Sequence, residues 1–205
     1  MSDNVVDLMT RSIRRMPPDT QEALRLAACI GNRFDLHTLA VVSERPAGDI
    51  ARDLAPATAE GLVVATGERH AFLHDRVQQA AYALIAPERR PAVHLRVGRL
   101  LRDHGSADER DTRLFDTVHH LNLGRALLGD AAERRAVAAL DLAAARRAKT
   151  ATAHDTAREL LEAGCSLLDE ATWHEQPALA FELELELAES RYLCGRFDAA
   201  LAAQD

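Results

Sequence analysis

The residues best placed to do chemistry in this 205-residue chain are an adjacent histidine and aspartate, His74 and Asp75. They sit inside Phe72-Leu73-His74-Asp75-Arg76-Val77-Gln78-Gln79-Ala80-Ala81-Tyr82, which reads as the end of a strand running straight into a helix. Asp75 is the expected N-cap, its carboxylate taking up free amide protons of the first turn. An imidazole N–H held at a helix start is well situated to meet a phosphate. The competing reading is a His74 that packs a hairpin against the helix. Val77, Ala80, Ala81 and Leu84 fall on one helical face with Tyr82 on its flank, so the helix packs against something; Gln78 and Gln79 face outward or find polar partners.

The other chemically capable residues form no recognised constellation. A phosphate cradle needs a GxxxxGK[ST] loop and its lysine, and the sequence has neither: its only lysine, Lys149, lies in an Ala-rich stretch. Hydrolysis by this chain alone is therefore not expected, and no catalytic residue is assigned. His94, His119 and His120 lack ligand spacing, and no cysteine or carboxylate cluster accompanies them. His119-His120-Leu121-Asn122 reads instead as packing and capping at a helix end. There is no GxSxG. Cys29, Cys165 and Cys194 are odd in number, far apart and without CxxC spacing, which suits free thiols in a reducing cytoplasm. No apolar run approaches the length of a membrane span and no signal peptide is recognisable.

The elements that would position His74 come in a definite order. Val5 to Met16 make an amphipathic helix with Val6, Met9, Ile13 and Met16 on one side, broken by Pro17-Pro18. Asp19 or Thr20 starts a second helix, which Gly31-Asn32 ends with left-handed caps. Phe34 is a core anchor, and Asp35 caps a third helix from Leu36 to Ser43. A fourth runs from Asp49 to Glu60, bent or late-starting because of Pro56, and Gly61 ends it. Leu62 to Thr66 reads as a strand, Gly67-Glu68 as a tight turn, and Arg69 to His74 as the returning strand. Three helices followed by a β-hairpin is the order of a winged helix, which the helix from Asp75 to Ile85 would close.

From Glu88 onward the pattern is helical. His94 to Asp103 would bury Val93, Val97, Leu100 and Leu101, and Glu109 to Leu123 would bury Leu114, Phe115, Val118 and Leu121. Gly124 to Gly129 is short. Ala131 to Lys149 and Thr152 to Leu168 pair as an antiparallel hairpin whose alanines permit close approach. Glu170 to Gln176 is a loop in which Trp173 staples hairpins, and a last helix runs from Ala178 to Cys194. Phe181 to Leu187 alternates like a strand, but it has no β-branched residue and its flanks are helical. As a helix with Leu on several sides it would be sandwiched between neighbours. Thr152-Ala153-His154-Asp155-Thr156-Ala157 aligns with Gly195-Arg196-Phe197-Asp198-Ala199-Ala200 at an offset of 43 residues. Both are similar to the turn of a tetratricopeptide repeat, with a period longer than the usual ~34. Ser2-Asp3-Asn4 lead directly into a helix and Leu201 to Asp205 stop within one, so the chain is expected to be a segment of a longer protein.

FLHDRVQQAAYALI resembles the end of the winged-helix domain in bacterial STAND-type signalling ATPases, AAA-like proteins often fused to a Ser/Thr kinase and a sensor histidine kinase. Thr20-Gln21 with Leu26 to Leu36, His94 to Leu101 and His119 to Asn122 agree with the same family, so the likeness covers most of the chain. In STAND ATPases of the apoptotic and plant immune type, a His-Asp pair at the matching place reaches the nucleotide, and the His contacts the β-phosphate of ADP. The resemblance thus implies that His74 senses nucleotide state, with ATP or ADP supplied by an upstream domain and Asp75 capping the helix behind. This sequence departs from those families in carrying Leu73 where they often have Met.

Charge refines the choice of partner. The net charge is −7, which excludes a generally basic nucleic-acid binder. Residues 75–104 carry six Arg against three carboxylates, whereas 155–205 carry twelve carboxylates against three Arg. Such runs read as solvated helix faces, or alternatively as an acidic surface that docks a basic partner. The helix ahead of the hairpin sets Arg52 against Asp49, Asp53 and Glu60, a poor match for a phosphate backbone. The expectation is therefore a mainly α protein in three parts: 1–17, the end of a preceding domain; 18–88, a winged helix; 89–205, a tetratricopeptide-like α-helical array. Its expected role is as a non-catalytic regulatory arm in bacterial signal transduction. The winged helix contacts an upstream nucleotide-binding domain and the helical repeats bind protein partners, with neither membrane nor nucleic acid involved. The rival is a segment of a transcriptional regulator, with a DNA-binding winged helix and inducer-binding repeats.

Overall fold

The computed structural model describes residues 2–67 and 69–194, with side chains from residue 5 onward. The chain is mainly helical with one small antiparallel sheet. It divides into two compact units, 1–110 and 111–205. Ile13 and Met16 near the first helix, and Val97 and Leu101 further on, belong to the same apolar cluster as the helices between them.

In the first unit, α1 (Ser2–Arg14) leads through Pro17, the N-cap, into α2 (Pro18–Ile30). The helix starts at Pro18, earlier than Asp19 or Thr20, because proline at the first helical position lacks an N–H that would go unpaired there. Gly31 ends it at φ 150°, ψ −174°, an extended mirror-image conformation in place of the expected left-handed helical cap. That geometry turns the chain into a strand the sequence pattern did not reveal, β1 (Arg33–Asp35). Three residues are too few to show alternation. Asp35 caps α3 (Leu36–Ser43), its Oδ1 accepting from the Thr38 amide at 2.6 Å.

Helix α4 (Ala47–Ala59) runs through Pro56. Gly61, at φ 70°, closes it. The Gly61 amide donates to Thr58 O at 3.0 Å and the Leu62 amide to Ala57 O at 2.9 Å, a Schellman ending that requires a left-handed residue. The chain is thereby aimed into β2 (Val63–Thr66), which pairs with β3 (Arg69–Phe72). The turn between them includes Glu68, which lies outside the described residues. Strand order is β1-β3-β2, all antiparallel, with Phe34 opposite His70 and Val63 opposite Phe72. Phe34, His70, Phe72 and Val63 are buried, so one sheet face lies on the helices. Helices α5 (Asp75–Ala83) and α6 (Arg90–Asp103) complete the unit. On α6, Val97 and Leu101 are buried as expected, while Leu100 is only half-buried.

The region expected as one helix from Glu109 to Leu123 is two, α7 (Ala107–Thr112) and α8 (Leu114–Leu123), interrupted at Arg113, which is buried. The interruption re-phases the pattern, and Phe115, expected inward, is exposed while Thr117, Val118, His120 and Leu121 are buried. In the second unit, α9 (Ala131–Thr150) and α10 (His154–Cys165) pack closely as a hairpin. Gly164 sits within this contact: a Cβ there would come to 2.9 Å from Leu183 Cδ2 and 3.2 Å from Asp141 Cβ. The stretch expected as a loop holds a short helix, α11 (Glu170–Glu175), because Asp169 and Thr172 form a reciprocal capping box. Trp173 on it is exposed, 45% of its surface open.

Helix α12 (Pro177–Leu193) takes in the alternating Phe181–Leu187 stretch as helix. It buries Leu183 and Leu187 but leaves Phe181, Leu185 and Tyr192 exposed, so among the described residues it is covered on one side only. The second half of the internal repeat, Gly195 to Ala200, lies outside the described residues. The acidic helices are laced by ion pairs: Arg146 with Glu182 and Glu186, each at 2.9 Å, and Lys149 with Glu186 at 2.7 Å and with Glu189. No helix among the described residues is long and apolar enough to cross a membrane.

Candidate functional site

The corner at His74 is built by three backbone connections. The Phe72 amide donates to Asn32 O at 2.9 Å, which ties the end of β3 to the chain entering β1. The Leu73 amide donates to Leu62 O at 3.0 Å, which ties it to the chain entering β2. His74 O then accepts from the Val77 amide at 2.9 Å and opens α5. His74 is extended, φ −145° and ψ 148°, and is itself the N-cap. Asp75, the expected cap, is the first helical residue instead. The reason is geometric: the cap is the last residue with extended dihedrals, and β3 ends at Phe72, two residues before the His74 that the pattern suggests. Asp75 still places a carboxylate in the first turn, where the helix dipole favours it.

The corner is open. His74 and Asp75 are both exposed, and the His74 side chain makes no capping hydrogen bond. Behind it the helix is anchored: Val77, Ala80 and Ala81 are buried, and Gln78 Nε2 donates to Ala28 O at 3.1 Å across to α2. The arrangement thus presents an imidazole at a helix start, on a backbone fixed by the sheet on one side and by core packing on the other. Chemically it can donate a hydrogen bond to an anion approaching the corner.

The other histidines singled out in the sequence, His94, His119 and His120, make contacts of their own. In the first unit, Tyr82 Oη and His94 Nε2 lie 2.9 Å apart, and the Arg90 guanidinium stacks over the Tyr82 ring at 4.6 Å. In the second, the His119 and His120 rings meet edge to face at 5.4 Å. Among the described residues, no group of three or more His, Cys, Asp or Glu converges as a metal site would require. Burial pushes the Cys29 and Cys165 thiols up to about 12, which leaves them poor nucleophiles.

One chemically unusual residue went unread in the sequence. Asp141 on α9 is completely buried. Its Oδ1 accepts from Asn122 Nδ2 at 2.7 Å, and its Oδ2 has no hydrogen-bond partner among the described residues. Burial pushes its carboxyl up from 3.8 to about 7, against the smaller opposing effects of the Asn122 hydrogen bond and the Arg125 charge. The signal was available: Val137, Ala138, Asp141, Leu142, Ala145 and Ala148 follow helical spacing, which puts Asp141 on the buried stripe.

Comparison with known proteins gives a distant relationship to signalling. The chain is 24% identical, over 256 aligned positions, to Hybrid signal transduction histidine kinase G of Dictyostelium discoideum. The alignment takes in 95% of this chain but 8% of that protein, so the chain spans only about 8% of the length of the curated relative it matches. No protein-family model matches the chain, and no solved structure matches it.

Proposed function

We propose that this chain is a non-catalytic regulatory segment of a STAND-type signalling ATPase. In this reading the first unit is a winged helix, with α2, α3 and α4 followed by the β2–β3 hairpin, and β1 joined to the sheet. The second unit is the start of a tetratricopeptide-like array that binds protein partners. His74 donates a hydrogen bond to a phosphate of ADP held by a nucleotide-binding domain, and so makes the position of the winged helix depend on which nucleotide is bound. The observation that carries the reading is the open corner: an exposed imidazole at an N-cap that makes no capping hydrogen bond. Distant kinship to a signal-transduction histidine kinase supports a signalling role.

DNA reading by α4 is the weaker alternative. Arg52 is paired with Asp49, and Arg45 with Asp53 at 2.5 Å, so that helix would bring carboxylates with little free positive charge towards a phosphate backbone. The test uses a longer protein that carries the nucleotide-binding domain together with this segment. His74→Ala is expected to speed release of labelled ADP by roughly tenfold to a hundredfold, the value of one hydrogen bond to a charged group. Release at the unaltered rate would reject the contact.

A further inference from the structure

We propose that the open face of the three-stranded sheet is a docking surface for an acidic protein segment. The register of the strands places the residues. Arg33, Ala71 and Val64 stand in one cross-strand row, and Asp35, Arg69 and Thr66 in the next. Because side chains alternate along a strand, these two rows share one face, opposite the face on which Phe34, Phe72 and Val63 are buried. A concavity of about 460 Å³ opens over these rows.

Its chemistry is that of two guanidiniums beside an apolar floor. Arg33 and Arg69 are exposed, and neither makes a side-chain hydrogen bond or ion pair among the described residues. The carboxylate beside them does not neutralise both. Asp35 has each oxygen engaged by Thr38, Oδ1 with the amide at 2.6 Å and Oδ2 with the hydroxyl at 2.7 Å. Ala71 stands beside Arg33 in its row and next to Arg69 along β3, and Val64, 46% exposed, lies beyond Ala71 on β2. Diagonal neighbours on a sheet face are about 7–8 Å apart. A segment with two carboxylates at that spacing, and an apolar side chain beyond them over β2, would bind both guanidiniums and cover Val64.

The apolar floor decides between a protein and a nucleic acid. A phosphate backbone offers nothing to Val64 and Ala71. It would also meet a unit that is not basic overall, since residues 1–110 carry fifteen Arg against fifteen carboxylates. An acidic, partly apolar protein segment matches both features. This proposal does not depend on the role of His74.

The test is fluorescence anisotropy on the 205-residue chain with three labelled probes: a peptide of alternating glutamate and leucine, the same peptide with lysine for glutamate, and duplex DNA. The unaltered chain is expected to bind the glutamate peptide. Arg33→Glu with Arg69→Glu should weaken that binding by about tenfold or more and should gain the lysine peptide. If the reversed variant loses its cooperative melt, Arg33→Gln with Arg69→Gln is read in its place, with loss of the glutamate peptide expected. Val64→Asp should weaken binding with both arginines present. No binding of the glutamate peptide, equal binding by the arginine variants, or DNA bound in its place would each overturn the proposal.

Discussion

Neutralising Asp141 should make the protein more stable at high pH and leave it nearly unchanged at low pH. The carboxyl is fully buried on α9, holds one hydrogen bond from Asn122, and has an oxygen without a partner among the described residues. Its folded value, about 7, lies above the ordinary 3.8. Between these values the folded chain holds a proton that the unfolded chain has released. Stability from this group is therefore fully present below about pH 4 and is lost as pH rises through about 7. At about 1.4 kcal/mol for each pH interval in which only one state is protonated, the loss amounts to at most about 4 kcal/mol. Asp141→Asn removes the charge and keeps an acceptor for Asn122. Urea unfolding of both proteins from about pH 4 to about pH 9 should give equal midpoints at the acid end. At the alkaline end the variant should be ahead by up to about 4 kcal/mol. Parallel curves, or a wild-type chain that gains on the variant as pH rises, would refute the reasoning.

Two further outcomes follow from the same packing. Gly164→Ala should destabilise the chain by about 1–3 kcal/mol in the same urea assay, because the new methyl would meet Leu183 of α12 and Asp141 of α9. At about pH 8, Cys29 and Cys165 should be alkylated by iodoacetamide roughly a thousandfold more slowly than an ordinary thiol, because their thiolate populations fall as burial raises them to about 12. Peptide mapping after timed quenching separates the sites.

Much of the frame was legible because local chemistry and burial agree there. Asp35 before Leu36 marks a helix start that the capping bond to Thr38 realises. Gly61 marks a helix end that only a left-handed residue permits. The alternating Phe181–Leu187 stretch is helical, as its lack of β-branched residues implied. Misreadings occurred where long-range contacts decide. Strand β1 exists because β3 pairs with it, and Arg33 to Asp35 alone carry no period. The break at Arg113 depends on burial of that side chain, and it turned Phe115 outward. At the candidate site, the strand-to-helix corner and its histidine could be read directly. The one-residue exchange of roles between His74 and Asp75 could not, because it depends on where β3 stops hydrogen bonding. Asp141 lay on a readable stripe, but an acid on an alanine-rich helix does not by itself indicate which side faces inward.

The central claim is that the His74 ring meets a nucleotide phosphate. The most direct measurement is the NMR spectrum of the His74 ring protons, assigned by comparison with His74→Gln, in a longer protein that includes the nucleotide-binding domain. The account predicts that these resonances move when the empty protein is loaded with ADP, and move again when ATP replaces it. Ring resonances that stay fixed through both exchanges, while nucleotide binding is verified in the same samples, would contradict it.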